Sequence, residues 1–225
     1  MTYDVQEMVT VPVEGVMLPG QLTIPAGAGA VVLFAHGSGS SHFSDRNHYI
    51  AKALHQHGIG TLLFDLLTLM EDADYANRFN IPLLTDRLLA ATAYLDTLEP
   101  VAGKPLGYFG SSSGAASALA AAARLPRRIE AVVSRGGRPD LAGPGLAKVR
   151  AATLLIVGGL DKDTLTLNRE ALAMLPGPKN LTVIANATHL FEEPGTLDEV
   201  ARLAARWFRE HLLPVPHPRH SNHPA

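Results

Sequence analysis

Cysteine is absent from this chain of 225 residues, which excludes disulfides, thiolate metal sites and a cysteine nucleophile. An excess of charge is also missing, because 19 basic and 21 acidic side chains give a formal net charge of −2. That balance gives too weak a field to attract nucleic acid or an anionic membrane. The N-terminus has no secretory signal pattern, and no apolar run approaches the roughly 20 residues of a membrane span. We therefore expect a cytoplasmic protein with neither nucleic acid nor membrane as a partner.

The composition is that of an ordinary globular protein, with 47% hydrophobic and 18% charged residues. A chain of this length typically forms one large domain, which we place at residues 1–213. The tail 214–225 contains four prolines and three histidines and shows no periodicity, so we predict that it is disordered.

Short apolar runs alternate with longer helical patterns along the chain. Strands are predicted over 5–13, 16–24, 30–35, 61–64, 106–109, 129–134, 153–157 and 181–185. Helices are predicted over 45–57, 84–98, from the end of the fifth strand to 125, and over 165–175 and 194–213. This alternation favours an α/β fold: a mostly parallel sheet of about eight strands, helices on both faces, and an antiparallel hairpin at the N-terminal edge.

The most informative segment is Gly110-Ser111-Ser112-Ser113-Gly114, between the fifth predicted strand and an alanine-rich helix. A G-x-S-x-G turn in this context is a nucleophile elbow, which exposes the central serine and aims helix N-terminal N–H groups at the attacked carbonyl. The strained turn requires small residues two positions to either side. Of the three adjacent serines, only Ser112 has glycine at both of those positions.

Two later loops carry an acid and a base in the order that such a serine requires. Asp161 follows the run 153–157, and His189 follows the run 181–185. Asp163 is an alternative candidate for the acid. A purely structural role for Asp161, as the N-cap of the following helix, is the other alternative. Because the carboxyl ends of parallel strands share one edge of a sheet, we predict that Ser112, Asp161 and His189 meet there.

The loop His36-Gly37-Ser38-Gly39 after the third predicted strand supplies the remaining part. A glycine-rich loop here can turn a backbone N–H toward the substrate oxygen beside the N–H of Ser113. We assign this second N–H to Ser38, with Gly39 as the alternative. The side chain of His36 is expected to brace the loop.

With these motifs, residues 15–213 resemble the α/β-hydrolase superfamily, most closely its dienelactone-hydrolase-like branch. The resemblance rests on HGSGSS, GSSSG, VGGLD and ATHLF. Dienelactone hydrolases proper use a cysteine nucleophile, which this chain lacks. The resemblance therefore implies a serine hydrolase of esters or lactones. Related sequences are sometimes attached to a phosphoribosyltransferase domain.

Two arginines, Arg135 and Arg138, follow the sixth predicted strand. They could bind a carboxylate or phosphate of the substrate, or form ordinary ion pairs with Asp140 or another acid. Of these two interpretations we favour ion pairs.

The pocket is expected to be open, because only 18 residues separate Ser134 from Thr153, too few for a lid domain. The segment 65–80 either supplies pocket walls or covers the sheet edge. Our candidate pocket residues are Gly39, Met70, Phe79 and Arg135. No cofactor or metal is expected, because no phosphate loop or dinucleotide fingerprint follows a strand, and His55 and His57 lie on different helix faces.

These observations predict a lidless serine hydrolase that cleaves a small ester or lactone through an acyl-enzyme. An acyltransferase or perhydrolase on the same fold remains an alternative, as does a non-catalytic binding module. Whether the protein is a monomer or a homodimer stays open.

Overall fold

The computed structural model describes residues 1–213. The tail 214–225, predicted to be disordered, lies outside the described residues. Eight strands form one sheet: β1 Tyr3–Val13, β2 Val16–Pro25, β3 Ala30–Ala35, β4 Ile59–Phe64, β5 Leu106–Ser111, β6 Ile129–Arg135, β7 Ala152–Gly158 and β8 Lys179–Ile184. Six α-helices accompany them: α1 Asp45–His55, α2 Leu69–Asp72, α3 Ile81–Asp96, α4 Ser113–Arg124, α5 Lys162–Met174 and α6 Thr196–Leu212.

The strand order is β1-β2-β4-β3-β5-β6-β7-β8. All pairings from β4 through β3 to β8 are parallel, whereas β1 with β2 and β2 with β4 are antiparallel. The predicted mostly parallel sheet with an N-terminal hairpin is therefore confirmed. As a result, the loops that follow β3, β5, β6, β7 and β8 all emerge at one edge, which we call the carboxyl edge.

The central strands are continuous apolar runs because helices cover both of their faces. Every residue of β3, β4 and β5 is buried. One face packs against α1 and α6, and the other packs against α3, α4 and α5. Each large apolar side chain buried in this way contributes about 1.5–3 kcal/mol.

Helix ends follow local capping chemistry. Ser44 accepts a hydrogen bond from the N–H of Asn47 at the start of α1, and Asn80 accepts one from the N–H of Leu83 at the start of α3. Among residues 1–213, the structure contains no helix both long and apolar enough to cross a bilayer.

Two connecting segments contain short helices whose positions could not be predicted from the sequence. Residues 65–80 form α2 and a 3₁₀ turn, Tyr75–Phe79. The connection from β6 to β7 contains a 3₁₀ run, Pro139–Lys148, that packs against α4 and α5. Within residues 136–151 the chain therefore forms a side wall, with no lid domain.

Candidate active site

Ser112 occupies a sharp turn between β5 and α4. Its φ of 50° and ψ of −124° lie in a region that residues other than glycine rarely adopt. Ser111 and Ser113, its neighbours, are almost fully buried and have no such torsion angles. Ser112 is half-buried, so it is the one serine of the three with a strained backbone and an accessible side chain.

The glycines on either side of Ser112 are sterically required. A Cβ on Gly110 would lie 2.5 Å from the Cα of Ala115, inside the turn itself. A Cβ on Gly114 would lie 2.1 Å from the carbonyl oxygen of Ala35, at the end of β3. The close approach at Gly114 brings the N-terminus of α4 against the loop that follows β3.

Asp161 and His189 form a hydrogen-bonded pair at the same edge. Nδ1 of His189 lies 2.7 Å from Oδ2 of Asp161, which sets the proton on Nδ1 because a carboxylate only accepts. The carboxylate side chain is 15% exposed and the imidazole 40% exposed. Nε2 of His189 makes no hydrogen bond within residues 1–213 and is available to a substrate or nucleophile.

Glycine packing also holds the loops that carry the acid and the base. A Cβ on Gly158 would lie 2.4 Å from the carbonyl oxygen of Ala187, and the N–H of Leu160 donates to that same oxygen at 3.0 Å. Buried Phe191, two residues after His189, has a φ of 57°. This second strained residue fixes the path of the histidine loop.

The loop after β3 runs directly against the elbow. A Cβ on Gly37 would lie 3.0 Å from the Cβ of Ser112. The N–H groups of Ser38 and Ser113 donate no hydrogen bond within the described residues, so both are available to an oxyanion. Behind the loop, the N–H of His42 donates to Oδ1 of Asp65 at 2.6 Å.

His36 braces this loop from below. Its Nε2 accepts from the N–H of Leu66 at 2.9 Å, which leaves Nδ1 protonated and 3.0 Å from the carbonyl oxygen of Gly37. Burial lowers the pKa of His36 below its ordinary value. A neutral imidazole therefore ties the loop to the end of β4.

The two arginines after the elbow differ from each other. Arg138 forms a two-pronged ion pair with Asp140, at 2.9 and 2.7 Å, as favoured from the sequence. For Arg135 the favoured ion pair is wrong: its guanidinium has no hydrogen bond or ion pair in the described part of the chain. Arg135 is the last residue of β6, one position beyond the predicted strand, so its side chain turns into the packed face.

The candidate pocket residues are spread along the carboxyl edge. Gly39 lies in the wall of an open cavity of about 580 Å³ that is lined by residues between Ser38 and Arg46 and by Asp72. Met70 is 87% exposed on α2, and Phe79 is 39% exposed beside Tyr75. Met70 and Phe79 thus stand on the surface and form no enclosed wall in this structure.

Two residues that support the site, Gly136 and Asn168, were not predicted from the sequence. Gly136, with a φ of 51°, packs so closely that a Cβ would lie 3.0 Å from the carbonyl oxygen of His189. Buried Asn168 on α5 donates from Nδ2 to the carbonyl oxygen of Gly137 at 2.9 Å, which holds this turn in place. In the sequence, the pair Gly136-Gly137 indicates close packing, whereas a single asparagine in a helical segment gives no sign of a role at the site.

Together these groups offer one accessible hydroxyl, one oriented imidazole and two free backbone donors at a common edge. That set suits the transfer of an acyl group. Among residues 1–213 there is no cluster of three His, Asp or Glu side chains able to hold a metal ion.

Comparison with known proteins gives relatives of two kinds. The crystal structure of a dienelactone hydrolase from Anabaena variabilis superimposes with a TM-score of 0.90 at 49% identity, covering 94% of this chain and 100% of that chain. Proteins from two strains of Mycobacterium tuberculosis, provisionally named phosphoribosyl transferases, are 54% identical over 206 residues. The alignment covers 92% of this chain but only 46% of theirs, so the chain spans about half the length of these curated relatives.

More distant structures share the fold. Est1E from Butyrivibrio proteoclasticus has a TM-score of 0.76 at 15% identity over 90% of this chain and 98% of its own. The Pyrococcus furiosus esterase Pf2001 has a TM-score of 0.73 at 18% identity over 92% and 93%. No family profile matches the sequence. The identity, coverage and superposition with the Anabaena protein establish that this chain belongs to the dienelactone hydrolase family of the α/β-hydrolase fold.

Proposed function

We propose that this protein is a serine hydrolase that cleaves small carboxylic esters or lactones through an acyl-enzyme. Ser112 is the nucleophile, His189 the general base and acid, and Asp161 the residue that orients the histidine. The observation that carries the proposal is the oriented pair of Asp161 and His189, at 2.7 Å, at the same edge of the sheet as a serine held at a φ of 50°.

In the first half-reaction, Oγ of Ser112 attacks the carbonyl carbon while its proton passes to Nε2 of His189. The carbonyl oxygen becomes an oxyanion and accepts hydrogen bonds from the N–H groups of Ser38 and Ser113. The C–O bond to the leaving group then breaks, and His189 returns its proton to the departing oxygen. Asp161 stabilises the transient imidazolium and holds its proton on Nδ1.

In the second half-reaction, His189 takes a proton from water, and the resulting hydroxide attacks the acyl carbon. The ester bond to Ser112 breaks, and the proton on Nε2 restores the serine hydroxyl. The acid product leaves, and no cofactor takes part in either half.

Small substrates follow from the shape of the site. The connection between β6 and β7 lies against α4 and α5, so residues 136–151 form no lid over the carboxyl edge. A site without a lid offers little apolar surface to a long acyl chain, so short acyl groups are the expected substrates.

The name of the Mycobacterium tuberculosis relatives concerns proteins about twice as long as the matched region. The region that they share with this chain is also the region shared with the Anabaena dienelactone hydrolase, which this chain covers completely. We therefore assign hydrolase chemistry to the shared region, which is the region present in this chain.

The test compares wild type with Ser112→Ala on a panel of short acyl esters and lactones, together with labelling by a fluorophosphonate probe. Ser111→Ala is the matched control, because Ser111 is adjacent and nearly buried at the end of β5. We expect Ser112→Ala to lose both turnover and labelling, and Ser111→Ala to retain both.

Equal hydrolysis by wild type and Ser112→Ala would show that the nucleophile is assigned wrongly. No turnover and no labelling of wild type would favour a binding module. Reactions run in the presence of alcohols or peroxide distinguish the three activities by their products. Hydrolysis gives the free acid, acyl transfer to an alcohol gives a new ester, and perhydrolysis gives a peracid.

A further inference from the structure

The open cavity beside the loop that follows β3 has a polar wall. It has a volume of about 580 Å³ and begins at Ser38, whose N–H is a candidate oxyanion donor. Its lining includes hydroxyl groups and a carboxylate, which belong to Ser38, Ser40, Ser41, Ser44 and Asp45. Most ligand pockets are lined predominantly by apolar side chains. This wall therefore suits a ligand with many hydroxyl groups better than an alkyl chain.

The serine hydroxyls of this wall keep hydrogen-bonding capacity for a ligand. Oγ of Ser41 accepts from the N–H of Phe43 at 3.2 Å, and Oγ of Ser44 accepts from the N–H of Asn47 at 3.4 Å. In both cases the hydroxyl hydrogen is still free to be donated. Because a hydroxyl group both donates and accepts, these side chains match the hydroxyl groups of a polyol.

The same wall presents an aromatic ring whose position is fixed. Phe43 lines the cavity and is 68% exposed. Its ring centroid lies 3.8 Å from that of buried His42, and Nδ1 of His42 lies 2.9 Å from Oδ1 of Asp65. The histidine thus supports the phenyl ring from the protein side, and the rest of the ring is open to a ligand. The C–H groups of a sugar ring carry a slight positive charge and pack on the negative face of an aromatic ring.

The charges at this cavity favour a ligand without an anionic group. Arg46 is paired with Glu192 at 2.8 Å, and Asp72 is paired with Arg78 at 2.8 Å. Asp45 has no ion pair within residues 1–213, and its two carboxylate oxygens can accept from two neighbouring hydroxyl groups. Because Glu192 lies three residues after His189, the cavity extends from the loop that follows β3 toward the histidine loop.

We propose that this cavity binds a sugar or another cyclic polyol, and that short acyl esters of such polyols are the substrates. The inference rests on the proposed hydrolase function and names the alcohol part of its substrate. The polyol hydroxyls bond to the serine hydroxyls and to Asp45, and the C–H face of the ring packs on Phe43. When the ester C–O bond breaks, the polyol oxygen takes the proton from Nε2 of His189, and water later releases the acid from the acyl-enzyme.

The experiment measures kcat/KM for the 6-O-acetyl esters of methyl glucopyranoside, methyl galactopyranoside and methyl mannopyranoside. Tetrahydropyran-2-ylmethyl acetate is the reference ester, because it has the same ring and the same acetyl group but no hydroxyl groups. In wild type, at least one sugar ester should exceed the reference about 10-fold or more. The ratio of that sugar ester to the reference should fall about 10-fold in Asp45→Asn, which loses a charged acceptor, and about 2- to 10-fold in Phe43→Leu, which loses the aromatic face.

Asp163→Asn and Tyr75→Leu are the matched controls. Asp163 lies in the first turn of α5, as Asp45 does in the first turn of α1. Tyr75 is 66% exposed, as open to solvent as Phe43, and does not line the cavity. The ratio of sugar ester to reference should stay at the wild-type value in both control variants.

The polyol site is overturned if no sugar ester exceeds the reference, or if neither Asp45→Asn nor Phe43→Leu lowers the ratio. Acetylcholine tests the competing occupant, a cation: a kcat/KM for acetylcholine above that of every sugar ester would assign Phe43 and Asp45 to an ammonium group instead. Cleavage of the reference ester or labelling of Ser112 by fluorophosphonate would leave the hydrolase proposal standing in each of these cases. If wild type cleaves none of the esters and Ser112 is not labelled, the hydrolase proposal itself fails.

Discussion

Replacing Ser112 by glycine should stabilise the protein while it abolishes catalysis. A non-glycine residue in a sparsely populated backbone region costs about 1–3 kcal/mol, and Ser112 has such torsion angles, with φ at 50° and ψ at −124°. Glycine adopts that conformation freely but loses about 0.5–1 kcal/mol through its greater freedom in the unfolded chain. With the middle of each range, the net gain over Ser112→Ala, which keeps the Cβ, is about 1 kcal/mol.

For a chain of this size, that gain corresponds to about 2–4 °C in Tm. The assay is urea unfolding and calorimetry of wild type, Ser112→Gly and Ser112→Ala. The control compares Ser111→Gly with Ser111→Ala. Ser111 lies in a regular strand, so the glycine variant should there have the lower free energy of unfolding. If Ser112→Gly is no more stable than Ser112→Ala, the elbow holds no strain and the argument from its backbone fails.

Three further predictions concern other parts of the molecule. Asp161→Asn should lower kcat about 10⁴-fold, because the amide lacks the negative charge and can donate to Nδ1, which favours the wrong tautomer of the histidine. Asp163→Asn should stay close to wild type. Steady-state kinetics of both variants separates the two candidate acids, and equal losses would contradict the assignment. Gly114→Ala should cost about 3 kcal/mol or more in unfolding free energy because its Cβ would lie 2.1 Å from a carbonyl oxygen; Gly145→Ala, with open space around it, is the control. Burial lowers the pKa of His55 from 6.5 to about 4 in the folded state. As the pH falls, the unfolded state therefore binds this proton at a higher pH than the folded state does. The free energy of unfolding should decrease as the pH drops from 6.5 toward 4. After allowance for partial exposure the loss is about 1–2 kcal/mol, and His55→Gln should reduce it in a series of Tm measurements against pH.

The sheet could be predicted because its central strands are apolar on both faces. The runs that form β3, β5 and β7 differ from the structure by at most two residues at either end. Segments whose order depends on tertiary contacts could not be predicted in the same way. The 3₁₀ run Pro139–Lys148 has no periodicity of its own and takes its shape from α4 and α5.

At the site, local sterics could be predicted from the sequence and side-chain direction could not. Glycines two positions before and after Ser112 indicate a turn that only small neighbours permit, so the strained serine could be found among three. Arg135 and Arg138 look alike in the sequence. Their different surroundings depend on β6 extending one residue further than predicted, which turns Arg135 toward the interior and leaves Arg138 beside Asp140.

The two ends of the described chain meet at one turn, far from the chemistry. The N–H of Ala26 donates to the carbonyl oxygen of Thr2, and Leu213 packs against Gly29, three residues further along the turn between β2 and β3. This turn lies at the amino ends of the parallel strands, opposite the catalytic loops. A short linker could therefore join residue 213 to residue 2 in a circular permutant, and a tag or surface anchor attached at residue 2 or residue 213 would lie opposite the candidate active site.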